Sequence, residues 1–150
     1  MAGEAEEPIV HLTVNGRRPR VAIVGGSPAS TMIATILVEQ FGCQPLPAAG
    51  GEAVLALLRR DPDIDLILLD LAVPDMDGIV AAQLIRTLGA HRTLPIIAVT
   101  EDRSRLATQH AHAAGFSGAV VKPYSPRELH AAMETALARA AMATIATGHA

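Results

Sequence analysis

Three residues that could together handle a phosphoryl group, Asp70, Thr100 and Lys122, each stand at the end of a short apolar run. A carboxylate can act as nucleophile, an ammonium can pair with phosphate oxygens, and a hydroxyl can hydrogen-bond the transferred group. They can act together only if the runs before them are strands of one parallel sheet. Ligands of such a sheet lie beyond the carboxyl ends of its strands. The matching position after the first apolar run is occupied by Gly25 and Gly26.

The elements that must position these residues follow from apolar periodicity and punctuation. Residues 21–24, 44–48, 65–70, 95–100 and 118–122 read as strands. Helices are expected from Pro28 to the stop at Gly42, over 52–60, over 79–88, from about 103 to 114, and from Pro126 to about 141. Ser27 is an N-cap with Pro28 in the first helical position, and apolar residues at 32, 33, 36, 37 and 41 keep helical spacing. Pro45 and Pro47 cannot donate to a ladder, which sends the second strand to an edge. Apolar runs without alternation imply strands covered on both faces, as in a parallel sheet flanked by helices. Residues 1–19 are polar and acidic and read as a flexible leader, within which 9–14 could add a short strand. Residues 20–141 form one domain and 142–150 a disordered tail.

Composition narrows the function. At 150 residues and 15.6 kDa the chain can bury one substantial core. One Tyr, two Phe, no Trp and a net charge of −3 argue against nucleic-acid binding, which needs basic charge and stacking surfaces. The single Cys43 can form no internal disulfide, and no apolar run reaches the ~18 residues of a membrane span. A cytoplasmic protein without membrane or nucleic-acid partners is expected. His110 and His112 lack the i, i+4 spacing of metal-ligand pairs on a helix, and the histidines read as surface or core residues. The stretch from Val21 to Ser30 imitates a dinucleotide-binding glycine loop with only Gly25 in register. Ser27 and Ser30 stand where the other glycines belong, and no acid lies in the 43–49 region for a ribose. No nucleotide or flavin is expected.

The segments D-L-I-L-L-D-L-A-V-P-D-M-D-G (65–78), P-I-I-A-V-T (95–100) and V-V-K-P-Y (120–124) resemble, in order and spacing, the conserved-function segments of bacterial response-regulator receiver domains. The resemblance covers about residues 20–140. It implies a flavodoxin-like, doubly wound α/β fold: a five-stranded parallel sheet in the order 2-1-3-4-5 with five helices, in three layers. It also implies that Asp70 is the phosphoacceptor, Thr100 the switch hydroxyl, Lys122 the phosphate-pairing cation and Pro123 the cis-proline position. The Ala72 carbonyl would be a backbone ligand for Mg²⁺. The partner would be a sensor histidine kinase or phosphotransfer protein. Output would pass to a protein partner through the fourth helix, fifth strand and fifth helix, with Ala119, Tyr124, Leu129, Ala132, Met133, Ala136 and Leu137 as its apolar candidates. Most of those on the last helix are equally suited to packing on the sheet.

The chain departs from the family pattern in three places. The two metal-binding acids of receivers are replaced by Gly25 and Gly26, so Mg²⁺ binding is expected to be weak unless Asp75, Glu101 or Asp102 substitutes. The small residue usual after the switch hydroxyl is Glu101, which would obstruct Asp70 or pair with Lys122. The switch aromatic is replaced by Ala119. The leading expectation is a stand-alone atypical receiver phosphorylated on Asp70. It would have no enzymatic activity beyond aspartyl self-phosphorylation and dephosphorylation, and would be a monomer or weak homodimer. The alternative is a pseudo-receiver that binds proteins without phosphorylation. A flavin or nucleotide enzyme of the same fold ranks last.

Overall fold

A computed structural model describes residues 9–91 and 93–146. Strands β1 (Arg20–Val24), β2 (Gln44–Ala48), β3 (Leu66–Asp70), β4 (Ile96–Thr100) and β5 (Gly118–Val121) form one parallel sheet in the order β2-β1-β3-β4-β5. Helices α1 (Pro28–Gln40), α2 (Gly51–Arg60), α3 (Gly78–Arg86), α4 (Gln109–Ala114) and α5 (Pro126–Ala146) connect and cover it. The proline-bearing β2 is an edge strand.

Each central strand serves two cores because successive side chains point to opposite faces. Val21, Ile23, Leu66, Leu68, Ile97 and Val99 pack with Val38 of α1 and Leu129 and Met133 of α5. Their neighbours Ala22, Val24, Ile67, Leu69 and Ile96 pack with Leu58 of α2 and Ile85 of α3. This two-sided burial explains why the strands read as unbroken apolar runs. The register aligns the strand ends: Val24 is level with Leu69, Asp70 with Val99, and Thr100 with Val121. Positions 25, 70, 100 and 122 therefore share one rim of the sheet.

Four local features differ from the sequence expectation. Of the apolar residues at helical spacing in α1, Met32, Ile33 and Ile36 are exposed, and the buried face is carried by Ala34 and Val38. This helix is apolar around most of its circumference, so periodicity alone could not choose its inner face. The helix expected over 103–114 is two pieces, a 3-10 turn (Arg103–Ala107) and α4. Asp102 caps the turn by accepting from Ser104 N, and Thr108, extended, caps α4 by accepting from Ala111 N. The side-chain caps compete with a continuous helix.

Residues 9–19, expected to be a flexible leader, are packed on the domain. Leu12 is buried and its N–H donates to Phe41 O at 2.8 Å, while His130 Nε2 donates to Val10 O at 2.8 Å. Asn15 and Gly16, both with positive φ, make a tight turn across which Val14 and Arg17 exchange backbone hydrogen bonds. That bridge is the only ladder there, so 9–14 adds no strand. At the other end α5 runs on to Ala146, past the expected stop near 141. Residues 1–8 of the expected leader and 147–150 of the expected tail lie outside the described residues. Among the described residues no helix is long and apolar enough to cross a membrane.

Candidate functional site

Asp70 ends β3 with only 3% of its surface exposed. Its Oδ1 accepts from Ala72 N at 2.8 Å, which fixes the carboxylate against the loop that follows. Its Oδ2 has no hydrogen-bond partner among the described residues and is held by an ion pair with Lys122 Nζ. A buried carboxylate oxygen so placed keeps its lone pairs directed into the cleft, and a cation stands where an incoming anion would need one.

The loop after Asp70 is shaped by Gly78. A Cβ there would lie 2.4 Å from Leu71 Cα and 2.7 Å from Asp70 O, so only glycine lets α3 start this close to the end of β3. Asp77 caps α3 by accepting from Ile79 N at 2.8 Å. These contacts give a physical reason for the D-G at 77–78.

Thr100 and Lys122 are tied together through their backbones, Lys122 N donating to Thr100 O at 2.8 Å. The Lys122–Pro123 peptide bond is cis. The Thr100 hydroxyl, buried, accepts from Asp102 N at 3.0 Å. It faces the cleft but is engaged with its own loop. Lys122 Nζ also reaches Ser30 Oγ at 3.4 Å, near the start of α1. Burial and the charge of Asp70 push the Tyr124 phenol up from its ordinary value.

A cleft of about 320 Å³ opens over Asp70, Thr100 and Lys122, with Ser30, Glu101 and Arg105 on its walls. Ser27, read as a helix N-cap and a failed glycine position, and Ser30, read as a failed glycine position, both line this cleft. Arg105 is the residue that sequence reasoning missed. Its contacts with Leu71 and Asp77 join segments distant in the chain and left no local signal. Ala119, at the switch-aromatic position, is a partly buried small residue against Leu71, Ile79, Ala98 and Ala111. Leu129, Met133, Ala136 and Leu137, candidates for a partner face, are buried in the core.

The glycines at the end of β1 differ from each other. A Cβ on Gly26 would point at Asp70 Oδ2 (3.1 Å) and the Ala72 carbonyl (3.2 Å). A Cβ on Gly25 would meet Thr31 Oγ1 at 2.1 Å and Thr31 N at 2.9 Å. Beside Gly26 the cleft offers a metal ion the Asp70 carboxylate and the neighbouring Ala72 carbonyl, with Glu101 and Asp102 farther along its lining. Of the three candidate substitutes, Asp75 has its carboxylate turned to Gly51 N and Glu52 N at the start of α2, and those N–H groups hold it below the usual carboxylate range. Asp102 is committed to Ser104, whose hydroxyl and N–H lower its pKa. Glu101 is exposed on the cleft wall, and Lys122 pairs with Asp70 rather than with it. Among the described residues no three of His, Cys, Asp or Glu are grouped to hold a metal. Mg²⁺ demands hard oxygens in near-octahedral array, and the residues present do not fit a dedicated site for it.

Comparisons with known proteins agree with this fold. A family model for the response regulator receiver domain matches residues 21–134. The chain is 31% identical over 119 residues to the sensor protein GacS of Pseudomonas syringae pv. syringae, covering 77% of this chain and 13% of that protein. It is 30% identical over 131 residues to the transcriptional regulatory protein BaeR of Escherichia coli O6:H1, covering 87% of this chain and 53% of that protein. The chain thus spans between about an eighth and about half the length of these curated relatives. The solved chemotaxis response regulator CheY4 of Vibrio cholerae superposes with a TM-score of 0.74 at 25% identity, covering 80% of this chain and 99% of that one. The receiver domain of a Pseudomonas aeruginosa sensor histidine kinase, solved with a magnesium ion coordinated in its active-site cleft, gives a TM-score of 0.74 at 23% identity, covering 81% and 98%.

Proposed function

The chain belongs to the response regulator receiver domain family, and from that premise we propose that Asp70 accepts a phosphoryl group from the phosphohistidine of a sensor kinase or phosphotransfer protein. The observation that carries this reading is the convergence of Asp70, Thr100 and Lys122 on one cleft. Asp70 Oδ2 attacks phosphorus, the P–N bond to the imidazole breaks, and the imidazole leaves with the electron pair and takes up a proton. Lys122 then exchanges its pairing with the carboxylate for pairing with phosphoryl oxygens. The Thr100 hydroxyl, which donates to Asp102 O at 3.2 Å, turns that proton to the same group instead, which loosens the loop after β4. That loosening is the change a downstream protein would read across α4, β5 and α5. Apart from forming and losing its own aspartyl phosphate, the domain catalyses nothing.

Mg²⁺ binding to this chain is weak in this reading, because Asp70 and the Ala72 carbonyl face the Gly26 position and no three acids are grouped there among the described residues. Gly25, Gly26 and Ala119 favour a second reading, a protein-binding module that is never phosphorylated. The two are separated by amide chemical shifts recorded while a small acyl phosphate is added with millimolar Mg²⁺. The first reading expects saturable shifts around Asp70, Thr100 and Lys122 that vanish in Asp70→Asn. Unchanged shifts in the wild type favour the second.

A further inference from the structure

Arg105 occupies an unexpected place for a cation. The turn Arg103–Ala107 carries it from the end of β4 to the wall of the cleft over Asp70. One of its terminal nitrogens, Nη1, donates to Leu71 O at 3.1 Å, the carbonyl adjacent to Asp70. The other, Nη2, donates to Asp77 Oδ2 at 2.5 Å, in an ion pair at the rim where Asp77 is about half exposed. A guanidinium has five N–H groups in a planar fork, and among the described residues two of them are used here. The cleft is also lined by Gly26, whose missing side chain puts no carboxylate toward Asp70 at that position. Among the described residues Lys122 is the only other basic residue lining the cleft, so the site pairs two fixed cations with an incomplete metal set.

We propose that Arg105 stabilises the phosphoryl group during transfer to Asp70, so that phosphorylation of this receiver proceeds without a divalent metal. The inference rests on the reading that Asp70 is phosphorylated. In phosphoryl transfer, charge spreads over three equatorial oxygens and must be neutralised by cations held in position. A guanidinium fork suits two such oxygens better than an ammonium does. The rim pair with Asp77 is a weak competitor, because an exposed ion pair is worth little and an anionic phosphoryl group attracts the same fork more strongly. With a small acyl phosphate the step balances without a further reactant. Asp70 Oδ2 bonds to phosphorus, the P–O bond to the acyl group breaks, and acetate leaves with the electron pair. A purely structural alternative exists, in which Arg105 only clamps the turn after β4 to the start of α3, and the two make different predictions.

The test measures phosphorylation of the full chain by acetyl phosphate, read by intact mass, in excess EDTA and again in millimolar Mg²⁺. The wild type is expected to be phosphorylated in both. Arg105→Gln should slow the EDTA reaction by at least about tenfold, as expected for losing a charge-assisted contact to the phosphoryl group, and slow the Mg²⁺ reaction less. Arg105→Lys should recover part of the EDTA rate. Asp77→Asn keeps a capping side chain for α3 but frees the guanidinium, and should raise the EDTA rate. Thermal melts of each variant check that it folds. Wild-type phosphorylation that requires Mg²⁺ overturns the inference and leaves the proposed function standing. So does an Arg105→Gln rate that is unchanged, or that falls equally in both conditions. No phosphorylation of the wild type in either condition overturns both.

Discussion

Lys122 Nζ pairs with Asp70 Oδ2, a buried carboxylate oxygen that has no hydrogen bond among the described residues. The pair holds a buried negative charge that would otherwise be costly, and removing one partner leaves the other uncompensated. Lys122→Ala should therefore destabilise the fold by about 3 kcal/mol as well as disabling the site, whereas Asp70→Asn, which removes the charge in place, should cost less. Urea midpoints of the two variants check the order. Equal or reversed costs would mean that the pair does not hold the charge as described.

The two glycines at the end of β1 should respond oppositely to an introduced acid. Gly26→Asp directs a carboxylate toward Asp70 Oδ2 and Ala72 O and should raise Mg²⁺ affinity by at least about tenfold. Gly25→Asp forces its Cβ into Thr31, including the backbone at 2.9 Å, and should lower the melting temperature with little gain in affinity. Calorimetric Mg²⁺ titration with a melt of each variant reads both effects.

Gly78 should not tolerate even a methyl group. With backbone atoms of Leu71 and Asp70 at 2.4 and 2.7 Å from its would-be Cβ, Gly78→Ala must shift α3 or the end of β3. The expected cost is about 1 to 3 kcal/mol, read from chemical denaturation, with perturbed amide signals at Asp70.

Leu12→Ala tests the docking of residues 9–19. Leu12 is 5% exposed and packs in the core shared by α1 and α5. Truncation should cost about 2 kcal/mol, and a free leader would show no change on this substitution.

Cys43 is fully buried, and burial pushes its thiol up to about 11. A free thiol titrates near 8.5, so between roughly pH 8.5 and that folded value the unfolded chain ionises and the folded chain does not. Folded protein then binds more protons, and stability falls as pH rises through this window. From pH 8 to pH 10 the wild type should lose about 1 to 2 kcal/mol more than Cys43→Ala does, read as urea midpoints. Alkylation of native Cys43 should be negligible at pH 8 and complete in denaturant.

The order of strands and helices was legible because each element carries its own marks. Pro45 and Pro47 mark an edge, Ser27 and Pro28 a helix start, and the unbroken apolar runs mark two-sided burial. The placement of Asp70, Thr100 and Lys122 on one rim followed from those elements. What could not be read was which face of a helix with apolar residues on several sides turns inward, as Met32, Ile33 and Ile36 show. Nor could periodicity foresee that Thr108 would interrupt a helix, since the interruption is a side-chain cap competing with a backbone bond. Arg105 and the packing of Leu12 depend on contacts between segments distant in the chain, Arg105 with Leu71 and Asp77, Leu12 with Phe41. Such contacts leave no local pattern.

The most direct test of the central claim is the intact mass and peptide map of the chain after incubation with a phosphorylated histidine phosphotransfer protein. The account predicts the mass gain of one phosphoryl group, carried by the peptide containing Asp70 and absent in Asp70→Asn. A gain that survives in Asp70→Asn, or no gain from this donor or from acetyl phosphate, would contradict it.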